Sequence, residues 1–418
     1  MSATIHRSTE PRARTQRLHL TRLHYSGQTP GFHRPKTDSS SSGTDCGQHA
    51  DDCVPHRGIV VRATFAYIAS VYLSTRAMAI LDVPAFSARF LRAFASDFTH
   101  IRLGRTRGLH PLILTYFVTF RCNLQCTYCD YAVDGFGSRF EDAETSDAKR
   151  ILTICHEGVP AVAFSGGEPL LRPDIGEIIH HARNLGYRPI SLFTNSLLLP
   201  YHEDVLNDID YLQISLDSLD ADRQDRLCRH PGLGRHLIAN IQRYARMQSI
   251  KHFCLNVNCV ITSQNVDDVD EILRFAEAEG VRFTFSPHLS PDGQADESLH
   301  SPHLKERYRA TVDTILAYKR STRVVLDIVP FIDHMRELRP GPCYPWLTPR
   351  VYPDGSMRFP CSIVCRSTSN VLSLGSWARV RDALAETRTD CPAPCLLPCY
   401  LESSLLVTHP MSLLQEIS

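Results

Sequence analysis

Neither charge is in excess: 45 lysines and arginines face 45 aspartates and glutamates, a formal net charge of zero at pH 7. That balance removes the polyelectrolyte signature of a nucleic-acid or anionic-membrane binder, and no nucleic-acid partner is indicated. Long apolar runs are missing as well. The most apolar stretch, "IVVRATFAYIASVYLSTRAMAILDVPAFSARFLRAF" from Ile59, is cut by Arg62 and Arg76, which leaves less than the roughly 20 residues of a spanning helix. A secretory leader is also lacking, so the fifteen cysteines are expected as thiols or metal ligands in a reducing, cytoplasmic compartment rather than as disulfides.

The chain divides by composition. Residues 1–57 are rich in Arg, His, Ser and Thr and run into "DSSSSGTDCGQHADD", too polar to build a core and expected to be disordered. Residues 58–110 read as an apolar, helical lead-in split by Pro84. Phe86, Phe90, Leu91 and Phe94 beside Arg89 and Arg92 would suit either a helix packed on the following domain or a surface helix in peripheral contact with a membrane.

From about residue 111 to 325, short β-like runs alternate with helical patterns: "LILTYFVTF", "AVAFSGGEP", "ISLFTNS", "YLQISLDS", "FCLNVNCVIT" and "RFTFSPHL". Helices are expected near 146–157 and 174–185, and another from a cap at Asn265 to Gly280. Six such alternations imply a parallel sheet with crossover helices, either doubly wound or a complete or partial barrel. In each architecture the strand C-termini carry the ligand site. The unusual residues fall there: Cys122 to Cys129 after strand one, Gly166 to Pro169 after strand two, Thr194-Asn195 after strand three, and Ser215 and Asp217 after strand four.

The segment "RCNLQCTYCDYAVDGFG" places Cys122, Cys126 and Cys129 in one short loop. Three thiolates can hold three irons of a 4Fe-4S cluster whose fourth iron, lacking a cysteine, stays open. An open iron accepts an amine and a carboxylate, which the methionyl end of S-adenosylmethionine (SAM) offers. An electron from the cluster would then cleave the sulfonium C–S bond to methionine and a 5′-deoxyadenosyl radical. Zinc is the alternative taker of three thiolates.

Cys122-x-x-x-Cys126-x-Tyr128-Cys129 resembles the cluster loop of the radical SAM superfamily, with its aromatic residue before the third cysteine. "FSGGEPLLRPD" resembles the superfamily's GGEP element, which implies SAM binding around Gly166, Gly167, Glu168 and Pro169; the glycines allow close backbone approach and Glu168 can accept from an ammonium. By the same resemblance Tyr128, Asn195, Ser215 and Asp217 meet SAM, with Asn258 beside them, although Ser196 replaces the glycine usual after Thr194-Asn195. The resemblance spans roughly residues 112 to 290. It implies a partial (β/α)6 TIM-type barrel and a reduced flavodoxin or ferredoxin as electron donor.

Beyond about residue 326, Cys343, Cys361, Cys365, Cys391, Cys395 and Cys399 crowd together around "PDGSMRF", where Asp354-Gly355 signals a hairpin. Soft ligands at this density in a reducing compartment point to zinc or an Fe–S cluster. Residues 326–418 resemble the SPASM and twitch extensions of radical SAM enzymes, which hold auxiliary clusters. Six thiols fall short of two all-cysteine clusters. One auxiliary 4Fe-4S cluster on Cys343, Cys361 and two of Cys391, Cys395 and Cys399 is expected, with Cys365 spare. The remaining cysteines, Cys46, Cys53, Cys155, Cys228, Cys254 and Cys259, have no ligand spacing and read as small buried residues. The sequence thus points to radical chemistry on a peptide or small natural product, with membrane lipid modification and a non-catalytic zinc or redox protein as the other readings.

Overall fold

The computed structural model describes residues 87–105, 109–129, 139–386 and 395–409. Residues 1–57, most of the lead-in and Cys391 lie outside them. Among the described residues, no helix is long and apolar enough to cross a membrane.

Seven strands form one sheet in the order β6-β5-β4-β3-β2-β1-β7: β1 Ile113–Thr119, β2 Ala161–Gly166, β3 Ile190–Thr194, β4 Tyr211–Ser215, β5 Cys254–Ile261, β6 Arg282–Pro287 and β7 Arg350–Val351. All pairings are parallel. The first six strands run across the sheet in chain order, as a partial (β/α)6 barrel does, and β6 does not pair with β7; a parallel bridge from Val325 covers β6 at Phe283. The fold class expected from the alternating pattern is therefore present. Strand β7 is an addition: two residues of the cysteine-rich segment join β1, with Thr115 opposite Arg350.

The helices that cross over the sheet include α2 Thr145–His156, α3 Ile175–Leu185, α4 Ala221–Cys228, α5 Leu233–Ala245, α6 Val269–Glu279 and α7 Pro302–Ser321. Strand positions facing them are buried and apolar: Phe164, Leu192, Leu212, Ile214, Val257 and Phe283 join Ile151, Ile178, Ile179, Leu237 and Ile272 in one core. Burying each such side chain contributes about 1.5–3 kcal/mol. The alternate positions are half-buried in β3, β4 and β6, so the second face of the sheet is partly open along these strands.

Two local expectations are corrected, and a third is decided between its two readings. Asn265 does not cap α6, which starts after Asp268. Its side chain instead accepts from Thr262 N (2.7 Å) and donates to Asp217 O (2.8 Å) and Val260 O (2.9 Å), because a buried loop must satisfy its backbone groups somewhere. The Asp354-Gly355 turn forms, with Gly355 at φ +80°, but β8 Ser356–Phe359 pairs with β9 Ser367–Asn370 while β7 before the turn joins the main sheet. The lead-in helix α1, Ala88–Arg102, buries Phe90 and Phe94 in the main core, so these two residues face protein rather than lipid. Its buried Asp97 holds the entry to β1 by accepting from His110 N at 2.8 Å, and the late helix α10, Pro398–Thr408, packs back against α1. Between α7 and α10 lie α8, Val329–Arg336, and α9, Trp377–Glu386.

Candidate functional site

The three-cysteine loop leaves the end of β1 and lies against the end of β2. Gly167 N donates to Thr119 O and Glu168 N to Arg121 O, both at 2.8 Å. These bonds require the two glycines. A Cβ on Gly166 would stand 2.0 Å from Thr119 O, and one on Gly167 would stand 2.3 Å from Arg121 O; Gly166 also holds φ +136°, where an L side chain is strained. The Gly-Gly pair is thus the surface on which the cluster loop begins.

Glu168 is fully buried. Its carboxylate accepts from Leu170 N (3.0 Å), Thr194 Oγ1 (2.8 Å) and Asn195 N (2.7 Å). The side chain therefore fastens the GGEP turn to the end of β3, and Pro169 starts the short turn Pro169–Leu171 beneath it. Burial pushes the carboxyl up to about 7, against the lowering effect of its donors. Asn195, held by that bond, reaches the cluster loop: its Nδ2 donates to Asn123 Oδ1 at 2.7 Å.

A second connection runs to the end of β4. The Tyr128 hydroxyl donates to Asp217 Oδ2, and burial raises the Asp217 carboxyl to about 6. Ser215 and Asn258 stand opposite each other in register on β4 and β5, with Thr284 of β6 donating to Asn258 at 3.1 Å. His288, at the end of β6, meets the Tyr128 ring edge-on with centroids 6.4 Å apart.

The loop's far side rests on the C-terminus of α4. Thr127 N donates to Leu227 O at 2.8 Å and Gln125 N to Cys228 O at 3.3 Å. Cys126 shares a hydrogen bond with Cys228, and that bond, then burial, holds its thiol well above the usual range. Such a thiol stays protonated until a metal cation binds the sulfur and displaces the proton to solvent. Cys122 is exposed and Cys126 and Cys129 are half-buried. Among the described residues no three Cys, His, Asp or Glu side chains converge as on a single ion. In a 4Fe-4S cluster three thiolates would each take a different iron. The donor set and the glycine cradle fit a 4Fe-4S cluster with one iron left without a protein ligand.

The late cysteines assemble from distant segments. Cys343 donates a hydrogen bond to Cys395, which lowers the Cys395 thiol to about 6. Arg350 of β7 donates to Cys399 Sγ and, at 3.1 Å, to Ser362, and its guanidinium lies 4.5 Å from the Tyr400 ring centroid. Buried Cys361 accepts from Val364 N at 3.3 Å. Gly293, in the loop after β6, allows Cys395 to approach, since a Cβ there would lie 2.9 Å from the Cys395 Cβ. Cys365 is exposed and bonds only locally to Ser367 O, at 3.5 Å.

Sequence reasoning missed Asn123, Cys228, Gln224, His288 and Arg350. Asn123 sits inside the quoted cysteine motif and was open to notice; the others have no local signal, because their roles depend on pairings across the fold.

Residues 116–276 match the model of the Radical SAM superfamily. Over 210 residues the chain is 34% identical to GTP 3′,8-cyclase of Listeria monocytogenes, covering 47% of this chain and 58% of that one. Over 232 residues it is 31% identical to probable GTP 3′,8-cyclase of Methanopyrus kandleri, covering 52% of this chain and 72% of that one. The solved structure of Streptococcus suis SuiB bound to precursor peptide SuiA shares the fold, with a TM-score of 0.51, 17% identity, and coverage of 81% of this chain and 83% of that one. The chain belongs to the radical SAM superfamily. Membership brings a 4Fe-4S cluster and SAM as cofactors. The chain spans little more than half the length of the first curated relatives it matches.

Proposed function

We propose that this chain is a radical SAM enzyme acting on a peptide or another neutral, polar small molecule, and that an auxiliary cluster stands beside the first. When bound, the cluster and SAM supply a 5′-deoxyadenosyl radical. In this reading Cys122, Cys126 and Cys129 hold the cluster. Gly166, Gly167, Asn195, Ser215 and Asn258 line the place for SAM, while Glu168 and Pro169 hold the turn that forms it. Cys343, Cys361, Cys395 and Cys399 hold the second cluster. Cys391 remains an alternative ligand that lies outside the described residues.

The observation that carries the substrate class is the polar second face of the sheet. Register places Ser165, Ser191, Gln213, Ser215, Asn256, Asn258 and Thr284 on it. Asn256 donates to Gln213 at 2.9 Å and to Thr284 at 2.8 Å. Hydroxyls and amides of this kind pair with peptide groups without a charge to neutralise. The names of the Listeria and Methanopyrus relatives suggest GTP as a second reading. A triphosphate calls for several arginines or lysines, and the described strands carry only Arg282 and Arg350 on this face. Both are engaged, Arg282 with Arg323 O and Arg350 with Cys399 and Ser362.

The test is SAM turnover by the reconstituted protein with each candidate. A short precursor peptide encoded beside the gene should raise 5′-deoxyadenosine formation and acquire a mass change, whereas GTP should do neither. Stimulation by GTP alone, with a cyclised nucleotide product, would reject the peptide reading.

A further inference from the structure

We propose that Asp217 is a positioning residue for the cluster loop: through the Tyr128 hydroxyl it fixes the loop over the end of β4, so that the sheet holds the loop's shape. This rests on the reading of Cys122, Cys126 and Cys129 as cluster ligands and deepens it.

Asp217 is fully buried, which sets it apart from a group waiting for a nucleoside at the surface of a cleft. Its carboxylate has three donors, the Gln224 side chain being one. Oδ1 accepts from Val260 N of β5 at 2.9 Å, and Oδ2 accepts from Tyr128. Its backbone is fixed from two other directions: Asp217 N donates to Gln224 Oε1 of α4 at 2.9 Å, and Asp217 O accepts from Asn265 at 2.8 Å. The carboxylate is thus immobilised by α4, β5 and the loop after β5, and its remaining oxygen is aimed at the cluster loop.

Gln224 extends the same unit to a cluster cysteine. Its amide donates to Cys228 Sγ at 3.2 Å, and Cys228 shares a hydrogen bond with Cys126. Asp217 therefore reaches the loop at Tyr128, one residue before Cys129, and through Gln224 and Cys228 at Cys126. A bond from a hydroxyl to a buried carboxylate is of the strong, charge-assisted kind, and removing the donor leaves a desolvated oxygen unsatisfied. Both effects fall on the segment that carries two of the three ligands.

The test uses the full chain, reconstituted anaerobically with iron and sulfide. Asp217→Asn keeps an oxygen for Val260 N while replacing the carboxylate opposite Tyr128; Tyr128→Phe removes only the hydroxyl. Two quantities are read: the rate at which a chelator bleaches the cluster, and the change that SAM produces in the EPR spectrum of the reduced cluster. Each variant should lose the cluster about tenfold faster than the wild type, as expected for one charged-group hydrogen bond. The double variant should be no faster than the faster single one, because both remove the same bond. Wild-type bleaching rates in both variants, or single effects that multiply in the double variant, would overturn the proposal, as would an Asp217→Asn variant that loses only the SAM-induced change. Should Asp217→Asn fail to fold, Tyr128→Phe alone decides by its bleaching rate. A wild-type protein that takes up no 4Fe-4S cluster would instead defeat the parent reading, and the brace with it.

Discussion

Cys122, Cys126 and Cys129 stand on one loop at the tip of β1, whereas Cys343, Cys361, Cys395 and Cys399 arrive from separate parts of the last quarter of the chain. The first group is gripped by backbone bonds to β2 and α4 and by side-chain bonds to the ends of β3 and β4. The second is gathered by side chains, chiefly Arg350 at Cys399 and the Cys343–Cys395 bond. The difference follows from where each lies. A loop at the C-terminal edge of a parallel sheet has neighbouring strand ends to fasten it, and a site outside that edge must be assembled from what α10 and the β8-β9 hairpin bring.

The largest effect expected from breaking this contrast comes at the first site. Cys126→Ala should abolish 5′-deoxyadenosine formation and remove about four irons per chain, the content of one 4Fe-4S cluster, with the irons of the second site retained. Iron analysis together with EPR reads this directly. If Cys126→Ala left the iron content intact, the first site would not be where the catalytic cluster binds.

Next comes Gly167→Ala. Its Cβ would fall 2.3 Å from Arg121 O and 2.6 Å from Phe120 O, so the cluster loop has to move. A cost of about 1–3 kcal/mol is expected from such overpacking, seen as a lower urea midpoint together with weaker iron binding at the first site. Gly293→Ala, which meets the Cys395 side chain at 2.9 Å, should disturb the second site alone.

The pH dependence of stability separates the two regions more finely. Glu168 has a folded-state pKa of about 7 against an ordinary value of 4.5. Its protonated form is therefore favoured by folding. The stabilisation is fully present below pH 4.5 and is lost as pH rises through 7. The span is about 3 kcal/mol. Glu168→Gln, though less stable for the bond it loses to Asn195 or Leu170, should show a flatter slope of unfolding free energy across that range. An unchanged slope would mean that Glu168 does not titrate with folding.

The smallest effects lie in the second region. Arg350→Lys keeps the charge but loses the planar contact with Tyr400 and the fork to Cys399 and Ser362. It should weaken iron retention there several-fold while leaving the first site untouched. Cys365→Ser should change neither iron content, because Cys365 is exposed and bonds only to Ser367 O.

Much of this contrast was legible in the sequence, and unevenly. The runs from "LILTYFVTF" to "RFTFSPHL" became β1 to β6 because a parallel strand carries its own apolar pattern, and the motifs at their ends fell on one rim because parallel strands share a direction. Strand β7 was not legible: two residues bear no pattern, and its partner Thr115 lies far away in the chain. The same reason hid Arg350, whose side chain looks like any other arginine until β7 places it beside Cys399. Glu168 was read as a receptor for an ammonium, while its carboxylate is turned to Thr194 and Asn195. The motif identified the turn, and only the packing revealed which groups the side chain holds. Cys228 and Gln224 gave no signal at all, because an ordinary helix position and a place under the cluster loop read alike in one dimension.

The central claim is that the loop from Cys122 to Cys129 holds an open cluster at which SAM is cleaved. Protein reconstituted with iron and sulfide under anaerobic conditions, then given dithionite and SAM, tests it most directly. The account predicts 5′-deoxyadenosine and methionine in equal amounts, formed by the wild type and absent in Cys126→Ala. Reconstituted wild-type protein with four or more irons per chain that yields no 5′-deoxyadenosine would contradict it.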